Sequence, residues 1–206
     1  ATRGMFKSVM AADTAALVAW CAHNYGDRLG GFVFSENRHR EVRPKRGNRG
    51  VLQFIHHLVE MHQFGPEPRS NEDSLTAQIV RLRRVARPGS LLLLISDFRG
   101  LDQQTEKHIT ELSRKNDVVL MFVYDPLEAE LPPPGRYKVS NGEEELLLDT
   151  AFAMRRSAYK DQFTQRSRTI ERLCRFHRTA FLPCRTDQNP VRLLADALGG
   201  RRRNGS

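Results

Sequence analysis

Residues Ser90–Phe98 read Ser-Leu-Leu-Leu-Leu-Ile-Ser-Asp-Phe, and this segment gives the clearest indication of the fold. Its five consecutive apolar residues are far fewer than the roughly 20 that cross a bilayer. They are typical of a parallel strand that helices cover on both faces. A helical pattern follows over Asp102–Lys115, and a second apolar strand pattern occupies Asp117–Tyr124. This order predicts a right-handed parallel unit with Leu91–Ile95 as a central strand.

Apolar periodicity and turn residues extend this pattern over the rest of the chain. Helices are predicted over Lys7–Tyr25, Asn48–Gln63, Thr150–His177 and Pro190–Leu198, and from an N-cap within Asn71–Ser74 through Val85; further strands are predicted over Asp27–Phe34, His39–Arg43 and Thr179–Arg185. The sequence therefore predicts an α/β fold with a doubly wound, mostly parallel sheet. We expect one domain over residues 1–200 and a flexible basic tail over residues 201–206.

The dipeptide Asn141-Gly142 is a strong signal for a β-hairpin. It predicts a two-residue type I′ turn between strands over Arg136–Ser140 and Glu143–Leu148. A small antiparallel flap is therefore expected beside the parallel sheet.

The composition indicates a basic protein, with 33 Lys plus Arg against 24 Asp plus Glu among 206 residues. The basic residues are scattered and the aromatic residues are few, so we expect no nucleic-acid partner, and a nucleic-acid-binding domain is kept as an alternative. Three cysteines without metal-ligand spacing indicate reduced thiols and a cytoplasmic setting. No apolar run predicts a membrane segment.

Ser96 and Asp97 directly follow the most apolar strand. Ligands of open α/β sheets bind beyond the carboxyl ends of the strands, so Asp97 is a candidate ligand of a hard cation. The competing interpretation makes Asp97 the N-cap of the next helix. We expect no second carboxylate near Asp97, which weighs against the alternative of a metal-dependent hydrolase. No nucleotide-binding loop or nucleophile elbow is present, so we expect no enzyme.

Several segments, in this order along the chain, together resemble a known family. They are Phe6-Lys7-Ser8, Gly26-Asp27-Arg28-Leu29-Gly30, Arg43-Pro44-Lys45-Arg46-Gly47, Pro88-Gly89-Ser90, Leu94-Ile95-Ser96-Asp97-Phe98-Arg99, Asn116-Asp117-Val118-Val119, Tyr124-Asp125-Pro126-Leu127-Glu128 with Leu131-Pro132, and Leu146-Leu147-Leu148-Asp149-Thr150. The chain resembles the C-terminal, von Willebrand factor A-like portion of the bacterial "domain of unknown function 58" family.

The resemblance implies a von Willebrand factor A fold, which carries a metal-ion-dependent adhesion site at the top of its sheet. In that pattern a DxSxS loop, a Thr and an Asp hold magnesium, and the metal accepts a partner's carboxylate. Asp97 matches the Asp, Ser74 lies near the Thr position, and the DxSxS loop is absent from this chain. We therefore expect no cofactor in this chain, and magnesium only in the full-length protein.

The same resemblance implies a non-enzymatic interaction or adaptor module, with a MoxR-type AAA+ ATPase as an expected partner. Ser96, Asp97 and Phe98 are the predicted partner-binding residues. The resemblance also implies that a strand between Leu29–Phe34 and Leu91–Ile95 is missing here. We expect direct pairing of those two strands or self-association, in preference to repair by Ala1–Phe6.

Overall fold

The computed structural model of the protein describes residues 5–35, 38–63, 74–130, 135–140, 145–149, 153–177 and 179–199. The helices are α1 (Lys7–Asn24), α2 (Asn48–Gln63), α3 (Leu75–Val85), α4 (Gln103–Ser113), α5 (Pro126–Ala129), α6 (Ala153–His177) and α7 (Pro190–Gly199). The strands are β1 (Leu29–Phe34), β2 (His39–Lys45), β3 (Leu91–Ser96), β4 (Asp117–Tyr124), β5 (Arg136–Ser140), β6 (Glu145–Asp149) and β7 (Ala180–Arg185). The predicted basic tail lies outside the described residues.

The main sheet is parallel, in the order β3-β4-β7. The middle strand is β4, whose Leu120 lies beside Leu94 of β3 and Phe181 of β7. The prediction that Leu91–Ile95 is a central strand is therefore wrong for the described sheet: β3 lies at its edge, and Leu91 is 63% exposed. A continuous apolar run indicates that helices cover both faces of a strand. It does not indicate whether another strand pairs along each of its two edges.

Helices cover both faces of this sheet. One layer of the core joins α1 and α7 to the sheet, and the other joins α3, α4 and α6 to it. The first layer buries Met10, Met121, Val123, Cys184 and Leu194, and the second buries Ile79, Leu94, Phe98, Ile109, Leu112, Val118, Leu120, Phe122, Ile170, Leu173 and Cys174. The prediction of an α/β fold is confirmed.

The strands β1 and β2 form a separate antiparallel sheet, in which Phe34 lies opposite His39. The predicted closure of the sheet by pairing of β1 with β3 is wrong. Helix α2 packs on β1 and β2 and also against α1. Among the described residues, β1 pairs with β2 and β3 pairs with β4. The Met5 amide donates to the carbonyl of Thr186, beyond the end of β7. Residues 1–4 lie outside the described part of the chain, and self-association stays a prediction.

The predicted flap is present as the antiparallel pair β5 and β6. Its register differs from the prediction, because Ser140 lies opposite Glu145 and four residues separate the strands. The two-residue turn is therefore wrong, and Asn141-Gly142 lies outside the described residues. A shift of two residues preserves a sequence pattern of period two, so apolar alternation in the sequence does not distinguish the two registers.

Gly31 of β1 lies under the ring of Phe54 in α2, and a Cβ atom at Gly31 would be 2.2 Å from Cδ2 of that ring. We predict that Gly31→Val lowers the free energy of unfolding by roughly 1–3 kcal/mol, because the ring and the backbone must both shift. Urea unfolding measures the change. In the Gly31→Val/Phe54→Ala double variant the ring is gone, so the loss should be smaller than the sum of the two single losses. Additive losses would contradict this contact.

Candidate functional site

The chain turns sharply where β3 ends. The hydroxyl of Ser96 accepts a hydrogen bond from the Phe98 amide at 3.0 Å, and Oδ1 of Asp97 accepts one from the Arg99 amide at 3.2 Å. Phe98 has a φ of 49° and Gly100 a φ of 80°, both in the left-handed region. The turn places Asp97 beyond the carboxyl end of β3, with 27% of its side chain exposed.

Phe98, a predicted partner-binding residue, has its side chain in the core. It is 1% exposed, and its ring centroid lies 6.5 Å from that of Phe122. Phenylalanine rarely adopts a positive φ, so the surrounding packing must stabilise this backbone conformation. The side chain of Phe98 is therefore almost wholly buried, and the exposed part of the predicted surface is formed by its neighbours.

Two carboxylates and three cationic side chains meet at this edge of the sheet. The Lys7 ammonium donates to Oδ2 of Asp97 at 2.8 Å and lies 2.7 Å from Oε1 of Glu128. Arg99 lies 3.3 Å from each of these carboxylates, and Nη2 of Arg166 donates to Oε2 of Glu128 at 2.7 Å. We call Lys7, Asp97, Arg99, Glu128 and Arg166 the rim cluster.

The cations keep both carboxylates ionised. Burial by itself raises the pKa of Glu128, whose side chain is 8% exposed, but hydrogen bonds and charge from Lys7, Arg166 and Arg99 bring it below its ordinary value. The pKa of Asp97 is likewise lowered overall: burial raises it, and Lys7 and Arg99 outweigh that effect. With three cations against two carboxylates, the rim cluster has an excess of one positive charge.

Glu128 is the functional candidate that sequence reasoning missed. The expectation that no second carboxylate lies near Asp97 is wrong, because Lys7 bridges Asp97 and Glu128. Glu128 lies in α5, a short helix that was not predicted. Two residues in the sequence indicate the start of this helix. Asp125 caps it by accepting from the Leu127 amide at 2.8 Å, and Pro126 occupies its first turn.

The proposed capping role of Asp97 is wrong. Helix α4 begins later, and its N-cap is Asp102, which accepts from the Thr105 amide at 2.7 Å. Ser74, the second predicted metal ligand, is the N-cap of α3 and accepts from the Ala77 amide at 3.2 Å. Ser74 and Asp97 therefore have different hydrogen-bond partners, the Ala77 amide for Ser74 and the Lys7 ammonium for Asp97.

These residues do not fit a magnesium site. An ammonium already lies between the two carboxylates, and magnesium needs an octahedron of oxygens. Within the described ranges, no three His, Cys, Asp or Glu side chains are grouped so that they could hold a metal ion.

A cleft of about 540 Å³ adjoins the rim cluster. Arg99, Glu128 and Arg166 line it together with polar side chains of α6, among them Tyr159, Gln162 and Gln165. The guanidinium carbon of Arg166 lies 5.4 Å from the centroid of the Phe122 ring, which fixes its position over the core. A positively charged cleft with hydrogen-bond donors is suited to binding a carboxylate.

A family model described as "Protein of unknown function DUF58" matches residues 1–169. The chain belongs to the DUF58 family. No curated protein matches its sequence significantly.

Two solved structures are similar to this DUF58 chain. The conserved hypothetical protein BatB from Bacteroides thetaiotaomicron aligns with a TM-score of 0.52 at 11% identity, over 97% of this chain and 89% of that one, which supports the fold. An uncharacterized membrane spanning protein from Vibrio fischeri aligns with a TM-score of 0.27 at 9% identity, over 97% and 85% of the two chains. In the described part of this chain, no helix combines the length and apolarity needed to cross a membrane.

The lowered pKa values of Asp97 and Glu128 give this DUF58 protein an acid-sensitive stability. The ion pairs stabilise the fold fully above the ordinary carboxyl values near 4, and this stabilisation is lost as the pH falls through the lower folded values. Urea unfolding between about pH 7 and pH 3 measures it. Glu128→Gln should be less stable at neutral pH and should lose less stability on acidification. Glu130→Gln, at an exposed position, is the control and should follow the unaltered protein; equal acid sensitivity in all three would contradict the prediction.

Proposed function

We propose that this chain is a non-enzymatic protein-interaction module, an adaptor whose partner surface is formed by the rim cluster and the adjoining cleft. We also propose that its α/β fold has the von Willebrand factor A-like form. The observation that carries the functional proposal is the excess of cations around a cleft at the carboxyl ends of the strands. Such sheet edges are the usual ligand sites of open α/β folds.

The chemistry of Arg99 favours an acidic group on the partner. Its side chain is 55% exposed, and its contacts with Asp97 and Glu128 are both 3.3 Å, longer than those that Lys7 makes. A guanidinium has five N–H donors in a planar fork, so Arg99 can bind a further carboxylate while it keeps these contacts. Lys7 and Arg166 continue to compensate the buried Glu128 in the complex.

The family resemblance supports a MoxR-type AAA+ ATPase as the partner, with both proteins in the cytoplasm. An acidic segment of the ATPase would dock its carboxylate at Arg99 beside Ser96 and Asp97. In this proposal the module contributes recognition, and any nucleotide chemistry belongs to the ATPase.

The affinity of this chain for a purified MoxR-type AAA+ ATPase from the same genome tests the proposal. We predict that Arg99→Ala weakens binding about tenfold, because Arg99 is the exposed cation of the cleft. Arg185→Ala is the matched control, since Arg185 is exposed at the end of β7 and is paired with Asp187 outside the rim cluster. It should leave the affinity nearly unchanged. Equal losses in both variants would contradict the proposed surface.

The nucleic-acid alternative is separated from this proposal by its salt dependence. A basic nucleic-acid-binding domain would bind DNA with an affinity that falls steeply with the logarithm of the salt concentration. Binding of that kind, combined with no affinity for the ATPase, would overturn the proposed function.

Magnesium should bind this chain poorly, because the Lys7 ammonium already lies between Asp97 and Glu128. Calorimetry should show no micromolar affinity in the unaltered chain. Lys7→Ala should bind magnesium more tightly, because the ammonium no longer lies between the two carboxylates and only the longer contacts of Arg99 still join them. Asp97→Ala in the Lys7→Ala background should remove the gain. Micromolar binding by the unaltered chain that Asp97→Ala abolishes would contradict this prediction and would favour a metal-dependent hydrolase.

A further inference from the structure

The amino-terminal edge of the parallel sheet lies opposite the rim cluster. The strands begin side by side, because Leu91 of β3 lies beside Asp117 of β4, and β7 begins beside the third residue of β4. The helices α3, α4 and α6 end shortly before these three strands. The Gly89 amide donates to the Lys115 carbonyl at 2.7 Å, which joins the connection before β3 to the connection before β4. The helix ends and the connections therefore form one surface.

This surface carries an excess of cations. Its described residues, 84–91, 114–117 and 175–177, contain five Lys and Arg side chains and a single carboxylate, that of Asp117, which leaves four positive charges in excess. All five cations are exposed, and none forms an ion pair with a described carboxylate: Arg84, Arg87, Arg114, Lys115 and Arg175. By contrast, the nearby Arg83 and Arg172 are paired with Glu111 and Glu106.

The ends of α3, α4 and α6 offset only part of this charge. The carboxyl end of a helix carries roughly half a negative charge and stabilises a nearby cation, so three ends offset about 1.5 charges. Adjacent strands lie about 5 Å apart, and the edge of three strands is therefore about 10 Å across. Salt screens charges beyond about 8 Å, so neighbouring cations at this edge act together on one ligand.

Two large apolar side chains are exposed on the same surface. Phe176 lies between Arg175 and His177 in the last turn of α6 and is 75% exposed, and Leu91 is 63% exposed. We call the five cations, Leu91 and Phe176 the basic edge. Exposed aromatic and aliphatic side chains beside Lys and Arg are typical of surfaces that bind the interface of an anionic bilayer.

The apolar residues favour a bilayer over a nucleic acid. At a bilayer both Phe176 and Leu91 leave water, while the cations stay beside the phosphates and carboxylates of the headgroups. A nucleic acid offers Phe176 a base to stack on, but it offers Leu91 no comparable contact. The charge of the basic edge is also complementary to a leaflet that contains anionic lipids.

We propose that the basic edge docks on the surface of a bilayer that contains anionic phospholipids. The five cations contact the headgroups, and the ring of Phe176 enters the boundary between headgroups and acyl chains. Strand β3 has six residues and is about 20 Å long, so the rim cluster at its other end faces away from the bilayer. This proposal does not depend on the partner proposed for the rim cluster.

Vesicle flotation tests the proposal on the unaltered chain. Vesicles of phosphatidylcholine with roughly one-third phosphatidylserine should bind it, and vesicles of phosphatidylcholine alone should bind it at least about tenfold more weakly. Salt at about 1 M, where charges are screened beyond about 3 Å, should release most of the bound chain. No binding to the anionic vesicles, or equal binding to both kinds, would refute the docking. Tighter binding to duplex DNA than to anionic vesicles at the same salt would refute it in favour of a nucleic acid.

Two double variants with the same change of charge locate the surface. Arg87→Glu/Lys115→Glu reverses two cations of the basic edge and should weaken binding to anionic vesicles at least about twentyfold, since each cation contributes about fivefold. Lys160→Glu/Arg192→Glu is the matched control: Lys160 is exposed beside Tyr159 of the cleft, and Arg192 is exposed in the first turn of α7, beyond the carboxyl end of β7. Its affinity should stay within about twofold. Equal losses would show attraction by net charge and not by this edge.

Phe176 separates docking of the edge from attraction of charge alone. Phe176→Ala should weaken binding to anionic vesicles about tenfold at unchanged thermal stability, because the ring is exposed in the free protein. Trp20 is the single tryptophan of the chain, so Trp20→Phe/Phe176→Trp moves the fluorescent side chain to the basic edge. Its emission should shift to shorter wavelength on anionic vesicles. An unchanged emission, or an unchanged affinity of Phe176→Ala, would overturn the proposal.

Discussion

The ammonium of Lys7 is the contact on which the functional edge of the molecule depends. It joins the start of α1 to the end of β3 through Asp97 and to α5 through Glu128. Glu128 is nearly buried, and a buried carboxylate is stable only where cations and hydrogen bonds replace its hydration. Lys7, Arg99 and Arg166 supply that replacement, so the first turn of α1, the turn after β3 and the long helix α6 are positioned together.

The rim cluster disfavours the binding of a metal ion and favours the binding of an external carboxylate. A pair of carboxylates at the end of a parallel sheet would suit a hard cation, but here a side-chain ammonium lies between them. The cluster then has a surplus of positive charge beside an open cleft, which suits a carboxylate supplied from outside. Arg99 is the exposed member, and the more buried Arg166 is held over the Phe122 ring.

A second constraint, the pairing of backbone groups, acts on the other side of the turn after β3. Asp97 belongs to the rim cluster, Ser96 lines the groove between β1 and β3, and Phe98 lines both that groove and the cleft beside the rim cluster. Helices cover that groove from both faces although the described residues place no strand within it. Around β4 the core is closely packed, whereas beside β3 Leu91 is exposed and the buried side-chain amide of Gln78 has no hydrogen-bond partner among the described residues.

Local structure follows from the amino-acid pattern: α2 and β4 have the predicted bounds, and Ser74 is the N-cap of α3 within the predicted segment Asn71–Ser74. Apolar periodicity and capping residues act within a few neighbouring residues, so they can be recognised without coordinates. Three features required the tertiary structure: the position of β3 at the edge of the sheet, the bridge by Lys7 between Asp97 and Glu128, which lie thirty-one positions apart, and the burial of the Phe98 ring. Those features depend on the packing of distant elements, and in the case of Glu128 on a four-residue helix too short for periodicity to reveal.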